Sequence, residues 1–253
     1  MKAPETLDLG AERRLAYHRT PATGDGMGHP GIVFLGGFSS DMTGTKATHL
    51  EAWAREKGRA FLRFDYRGHG VSSGTFEEGA IGDWASDAIA VIDHLTDGPQ
   101  ILVGSSMGGW ISLLVAKPRV SRVAALVGIA AAPDFTEDGI WAALDEEARA
   151  VLMREGKVAM PSDYWDEPYV ITRRLIEEGR GNLVLRTPLE LPFPVRLLHG
   201  TADADVPVER GTLLLDHMSC ADARLTLVKD ADHRFSGPAE LDLIVDTVAG
   251  LPV

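Results

Sequence analysis

Short, wholly apolar runs recur along the chain, and the stretches between them carry apolar residues at helical spacing. "GIVFLGG" (Gly31–Gly37), residues 101–104 and "VAALVGIA" (Val123–Ala130) have almost no polar position. "AFLRFD" (Ala60–Asp65), "PVRLLHG" (Pro194–Gly200) and "RLTLVKD" (Arg224–Asp230) are as short and only slightly more polar. Runs of about four to eight such residues, closed off by Gly, Pro or Asp, predict strands, and continuous apolarity predicts burial on both faces. Residues 14–20 predict one more strand near the start, and Pro21 to Pro30 a Gly-rich turn.

Helical periodicity fills the gaps. Ala47, Leu50, Trp53 and Ala54 line one face of a helix over 46–57, which Gly58 can stop. Trp84, Ala88, Val91 and Leu95 do the same over 82–96, and Asp97-Gly98-Pro99 breaks it. Further helices are expected at 107–117, at about 207–217 and at 238–249. Strands alternating with amphipathic helices predict an α/β fold: a mostly parallel central sheet with helices on both faces. Residues 134–192 break the rhythm. They contain Pro161, Pro168, Pro188 and Pro192, helical patches near 140–154 and 162–179, and no buried-strand run before Val195. The expectation is a single domain over 1–253 with a cap or lid insertion at about 134–192.

Composition narrows the partners. The 253 residues carry a formal net charge of −12, which argues against nucleic acid or an anionic membrane, since both call for basic patches. No apolar run is long enough to span a bilayer. Cys220 is the only cysteine, so no internal disulfide is possible and a reducing compartment is expected. The first residues lack an apolar secretory segment, and Glu5, Asp8 and Glu12 argue against a transit peptide. The expected location is the cytoplasm. Oligomeric state is not readable from the sequence.

The chemistry begins at Gly104-Ser105-Ser106-Met107-Gly108, where an apolar strand runs directly into an apolar helix. A strand that turns this sharply forces its corner residue into strained geometry, and small neighbours relieve the crowding. Ser106 is centred between Gly104 and Gly108 and projects from the carboxyl end of the sheet; Ser105 is not centred. The alternative is a glycine-rich tight turn with an idle serine. A serine hydroxyl needs a base in hydrogen-bond reach and an acid that orients the base. Downstream, Asp203 follows the strand ending at Gly200, and His233 follows the last strand. That is the order Ser, Asp, His of a nucleophile-elbow enzyme. His18, His29, His49, His69, His94, His199 and His217 do not occupy that position, and His199 reads as support for the acid's loop. Asp203 is preferred to Asp205, beside the next helix, and to Asp232, adjacent to the base. An oxyanion needs two donors: the Met107 amide at the helix start, and the Phe38 amide, to within one position, after Gly36-Gly37. Asp65 and Arg67 are expected to hold the site's surroundings. Thr43-Gly44-Thr45-Lys46 resembles the end of a phosphate-binding loop, but lacks the Gly-Lys pair and the glycine five residues earlier.

"FLGGF", "FDYRGHGVSSG", "GSSMGG", "HGTADADVP" and "DHRF" fall in the order of the α/β-hydrolase superfamily over nearly the whole chain. Longer runs, "GIVFLGGFSSDMTGTK", "RFDYRGHGVSSG", "DGPQILVGSSMGGW" and "RLLHGTADADVP", with "MPSDY" in the insertion, resemble the family of α/β-hydrolase domain-containing protein ten. The resemblance spans about residues 30–245. It implies an α/β-hydrolase fold, a triad of Ser106, Asp203 and His233, no metal and no organic cofactor. It also implies a substrate with an ester or thioester bond, as for the family's animal mitochondrial members, which act as palmitoyl-protein thioesterases and acyl-glucuronide esterases. The N-terminus departs from those members, so a bacterial cytoplasmic relative is expected. Ile140, Trp141, Leu144, Leu152, Met153, Tyr164, Trp165 and Tyr169 offer a region for an acyl pocket. Lactone, peptide or carbon–carbon bond hydrolysis, or a non-catalytic acyl-binding module, are the alternatives on the same frame. Ser106 argues against dehalogenase and epoxide-hydrolase chemistry, which uses an aspartate there.

Overall fold

Each apolar run finds its partner beside it in one sheet. The computed structural model describes residues 3–160 and 168–253. Its strands are β1 (Glu5–Asp8), β2 (Arg14–Thr20), β3 (Gly31–Leu35), β4 (Phe61–Phe64), β5 (Gln100–Ser105) and β6 (Val123–Ile129). They continue with β7 (Lys157–Met160), β8 (Tyr169–Thr172), β9 (Leu189–Glu190), β10 (Val195–Gly200), β11 (Met218–Ser219) and β12 (Ala223–Val228). The helices are α1 (Thr45–Glu56), α2 (Ile81–Leu95), α3 (Met107–Ala116), α4 (Glu146–Glu155), α5 (Arg173–Arg180), α6 (Val208–His217) and α7 (Pro238–Ala249).

Eight strands form the central sheet in the order β1-β2-β4-β3-β5-β6-β10-β12. The last six are parallel; β1 and β2 are antiparallel additions at one edge. β3 and β5 are buried along their whole length, which is why they read as unbroken apolar runs. Helices cover both faces. Trp84 of α2 and Trp110 and Ile111 of α3 fill one core with Val33, Leu62 and Leu102. Leu50 and Ala54 of α1 and Ile244 and Val248 of α7 fill the other with Ile32, Phe61 and Val103. The chain passes from β3 to β4 on one side and then to β5 on the other. β3 is therefore where strand order reverses, and the loops after β3 and β5 leave a crevice between them.

The expected strands and helices of the main frame occur. Residues 134–192 differ. A short π-helical turn (Thr136–Trp141) precedes α4, and residues 157–160 and 169–172 form an antiparallel hairpin. The helical patch expected over 162–179 is thus strand at its described start and helix only over Arg173–Arg180; residues 161–167 lie outside the described residues. The hairpin is half exposed, so it shows no continuous apolar run. Its one local signal is the β-prone sequence Tyr169-Val170-Ile171-Thr172. Thr172 then caps α5, its hydroxyl oxygen accepting from the Leu175 amide at 3.1 Å. β1 was not anticipated either: it is exposed apart from Leu7 and has no apolar pattern to read.

α3 lies unusually close to the sheet. A Cβ on Gly108 would come within 2.0 Å of the Leu35 carbonyl oxygen, and one on Gly109 within 2.6 Å of the Ala131 methyl. Backbone cannot retreat as a side chain can. Gly108→Ala should therefore destabilise the protein by about 3 kcal/mol, read as a lower urea midpoint at an unchanged slope. A midpoint equal to wild type would show that α3 has room to move off the sheet.

Candidate active site

Ser106 is the whole turn between β5, which ends at Ser105, and α3, which starts at Met107. Its backbone has φ 53 and ψ −116, a conformation rare for a residue with a side chain, costing about 1–3 kcal/mol. Hydrogen bonds hold it there. The Ser106 amide donates to the Ile129 carbonyl at 2.9 Å, and its own carbonyl accepts from Gly109 at 2.9 Å and Ala132 at 3.1 Å. Gly104 is needed because a Cβ there would meet the Gly108 carbonyl oxygen at 2.3 Å. Ser105 is buried at the strand end and is not the serine that faces His233.

The loop after β12 brings up the imidazole. His233 Nε2 is 3.0 Å from Ser106 Oγ, and His233 Nδ1 is 2.9 Å from Asp203 Oδ2. With the proton on Nδ1, the ring donates to the carboxylate and accepts from the serine hydroxyl. Asp203 is fixed from its other oxygen: Oδ1 accepts from the amides of Asp205 at 3.0 Å and Val206 at 2.8 Å. Its side chain is fully buried, that of His233 nearly so. Burial alone would push the Asp203 carboxyl up, but the hydrogen bond and charge of His233 and the Val206 amide hold it below its ordinary value. His199 braces the same loop, Nε2 lying 2.8 Å from the Val206 carbonyl and 3.4 Å from Asp203 Oδ2. Gly200 lets the two loops meet: a Cβ there would lie 2.1 Å from the Ala231 carbonyl oxygen.

The loop after β3 passes against the elbow, a Cβ at Gly37 coming 3.5 Å from that of Ser106. Further along, the loop is clamped at Met42. The Met42 amide donates to Asp65 at 2.7 Å, and its carbonyl accepts from Arg63 at 2.9 Å. Arg63 is in turn paired with Glu51 of α1 at 2.8 Å, both side chains buried. Burial pushes the Asp65 carboxyl up, against the pull of the Val71 and Met42 amides. Asp65 thus holds the site's surroundings as the sequence suggested. Arg67 acts one layer further out, bonded to the buried Asp87 at 2.9 Å. Met107 opens α3, and the first amides of a helix have no intrahelical acceptor.

A cavity of about 1030 Å³ opens over Ser106 and His233. Phe38, Phe135, Ile140, Met160, Tyr169 and Ile171 form its apolar wall. Phe38 is the hub of that wall, its ring 4.8 Å from Phe76, 5.6 Å from Phe135 and 5.8 Å from Tyr169. Residues 134–192 are tied down beside it. Asp134 accepts from the Val184 and Leu185 amides, and Asp138 pairs with Arg186 and, at 3.0 Å, with Arg210 of α6.

Of the apolar positions singled out in this segment, Ile140 and Tyr169 reach the cavity. Leu144 and Leu152 are core, Trp141 lies under the guanidinium groups of Arg149 and Arg180, and Met153 is exposed. Tyr164 and Trp165 lie outside the described residues. Met160 and Ile171 were not anticipated, because the hairpin that presents them was not. Lys46 was missed as well. It lines the cavity, and its Nζ donates to the Arg234 carbonyl. The signal was a lysine in the first turn of a helix, where a cation is disfavoured. Among the described residues, Asp203, Asp205 and His233 bring one ligand atom each within 4.8 Å of one another. They do not fit a metal: a cation would have to break the His233–Asp203 bond that already satisfies both groups.

The pattern of the Alpha/beta hydrolase family matches residues 32–242. The human mitochondrial palmitoyl-protein thioesterase ABHD10 is 40% identical over 223 residues, covering 88% of this chain and 72% of that protein. Mouse ABHD10 superimposes with a TM-score of 0.89 at 35% identity, over 98% of this chain and 97% of that one. A putative hydrolase from Agrobacterium vitis S4 gives 0.91 at 40% identity, over 97% and 96%. With the sheet order, the elbow and these relatives in agreement, the chain belongs to the alpha/beta hydrolase family.

Proposed function

We propose that the protein is a serine hydrolase of carboxylic esters and thioesters, with Ser106 as nucleophile, His233 as base and Asp203 as orienting acid. The observation that carries the reading is the continuous line of hydrogen bonds from Ser106 Oγ through His233 to Asp203. Ser106 Oγ attacks the acyl carbonyl while its proton passes to His233 Nε2. The oxyanion that forms is held by the amides of Phe38 and Met107. On collapse, the bond to the leaving alcohol or thiol breaks, and the His233 proton goes to that group. Water then attacks the acyl-enzyme with His233 again as base, releasing the acid and restoring Ser106.

Residues 134–192 act in this reading as a cap whose hairpin roofs the acyl pocket. A cavity of about 1030 Å³ with an aromatic wall supports a bulky or long apolar acyl group. The relatives named palmitoyl-protein thioesterase support the same substrate class. The compartment we assign is the cytoplasm; the lone Cys220 fits a reducing compartment, and those relatives are named mitochondrial. Among the described residues no helix is long and apolar enough to cross a membrane.

The test is turnover of p-nitrophenyl esters of increasing chain length and of an acyl-CoA, by wild type and Ser106→Ala. Turnover should fall at least about a thousandfold in the variant, with an acyl adduct mapped to Ser106 in wild type only. A folded wild type with neither turnover nor adduct would sink the reading. Asp203→Asn should cost about ten-thousandfold in kcat by favouring the wrong tautomer of His233.

The depressed Asp203 carboxyl also makes a pH prediction. A carboxylate whose folded pKa lies below its unfolded value stabilises the fold above that unfolded value, and the contribution disappears as pH falls through the folded one. Wild type should therefore be more stable than Asp203→Asn at pH 5, and the gap should begin to narrow below about pH 4 and shrink further toward about pH 3. Urea titrations at both pH values check this. A gap that persists undiminished at pH 3 would mean that the charge of Asp203 is not what the fold uses.

A further inference from the structure

We infer that Lys46 is a positioning residue: its ammonium grips the backbone carbonyl of Arg234 and so keeps the adjacent His233 between Ser106 and Asp203. The inference rests on the serine-hydrolase reading and adds to it a residue outside the triad. Three observations carry it.

Lys46 is the second residue of α1, yet its Nζ donates to a carbonyl 188 positions away, on the peptide next to His233. Arg234 is exposed overall, and its carbonyl accepts from the partly buried Lys46. The loop it holds is bent at both ends, Asp230 and Phe235 having φ 61 and φ 47. Phe235 is fully buried and its amide returns to Asp232 Oδ1 at 3.1 Å, and the Asp230 amide donates to Thr201 Oγ1 at 2.9 Å. Those contacts fix the two ends. The Lys46 contact is on the carbonyl of the same peptide whose N–H is the Phe235 amide, one residue past His233, so that peptide is held from both sides.

The position is an expensive one for a cation. A lysine in the first turn of a helix faces the positive end of the dipole, and α1 has no acidic residue in that turn to offset it. A lysine with no task would turn its flexible stem to solvent; this one is partly buried at the cavity wall. Asp232 and Asp203 lie near enough to favour its charge, and Arg234 opposes it. Asp41, Asp205 and His233 share the cavity with it, and His49 is one turn on in α1. On α7, which packs against α1, the Glu240 carboxylate lies over Gly237.

Burial pushes Lys46 down to about 8 against the upward pull of the two aspartates. The grip is a charge-assisted hydrogen bond, roughly twice as strong as a neutral one. It should therefore weaken in the alkaline range as the proton leaves. Stability moves the other way. A lysine that binds its proton less tightly in the folded chain than in the unfolded chain lets folding gain as pH rises between the two values. A loss of rate with a gain in stability separates positioning from simple structural support.

The readout is phosphonylation of Ser106 by a fluorophosphonate, in which the serine oxygen displaces fluoride from phosphorus and its proton passes to His233. Limiting rate and half-saturation are measured from pH 6 to 10 for wild type, Lys46→Met and Lys46→Arg, with Tm alongside. Lys46→Met should react about tenfold more slowly at saturation, with half-saturation little changed and Tm equal to wild type or higher. The alkaline fall of wild type should be missing from it, and Lys46→Arg should recover most of the rate. Wild type labelled at Ser106, with Lys46→Met equally fast or a wild-type profile flat to pH 10, overturns this inference alone. Should Lys46→Met fail to fold, the wild-type profile and Lys46→Arg decide it. Failure to label wild type overturns the hydrolase reading and this inference with it.

Discussion

The Leu35 carbonyl oxygen and the Gly108 α-carbon share a space that cannot admit a methyl group. That contact brings the start of α3 down onto the end of β3, and the strained backbone of Ser106 follows from it. With α3 seated, the Ser106 side chain can only project between the loops after β3 and β12. A second contact of the same kind, Gly200 against the Ala231 carbonyl, lets the loops of Asp203 and His233 touch. Side-chain packing gives stability to such a frame. These backbone approaches give it position, because they bring together loops whose residues lie far apart in the chain.

The polar clamps follow the same logic. Each loop around Ser106 is held at a peptide group by a partly or fully buried charged or polar side chain: Met42 by Asp65 and Arg63, Val206 by Asp203 and His199, Arg234 by Lys46. Burying a charge is costly unless it is paired and hydrogen-bonded, and here the partners are backbone groups that would otherwise need water. The loops are thereby fixed without large apolar side chains, which would crowd the cavity above them.

Much of this was legible because it is local. A fully buried parallel strand announces itself as an apolar run, and a strand that turns into a helix within one residue demands glycine, so β3, β5 and Ser106 could be read directly. Asp203 and His233 were readable from chain order, since parallel strands send every following loop to the same edge of the sheet. The paired strands 157–160 and 169–172 were not readable. Among the described residues the two strands are half exposed, pair only with each other, and show neither an unbroken apolar run nor the alternation of a strong amphipathic strand. Lys46 was hidden for a different reason. Its motif resembles part of a phosphate-binding loop, while its partner is a carbonyl contributed by the far end of the chain, and a backbone acceptor leaves no mark in a sequence.

Residues 134–192 join the frame by two kinds of interaction at once. The frame is apolar contact on both faces of the sheet. The described part of 134–192 is tied within itself by Asp134 on the Val184 and Leu185 amides and by Asp138 on Arg186. It is joined to the frame by Asp138 on Arg210, Arg174 on Asp83 and Glu178 on the Gly82 amide, and by Leu152, Leu175, Ile176 and Val184 in the core they share with α2 and α3. It meets the active-site loop through one aromatic cluster centred on Phe38. Phe38 follows Gly37, whose backbone passes against Ser106, so this one side chain joins the segment's aromatic contacts to the peptides around the elbow.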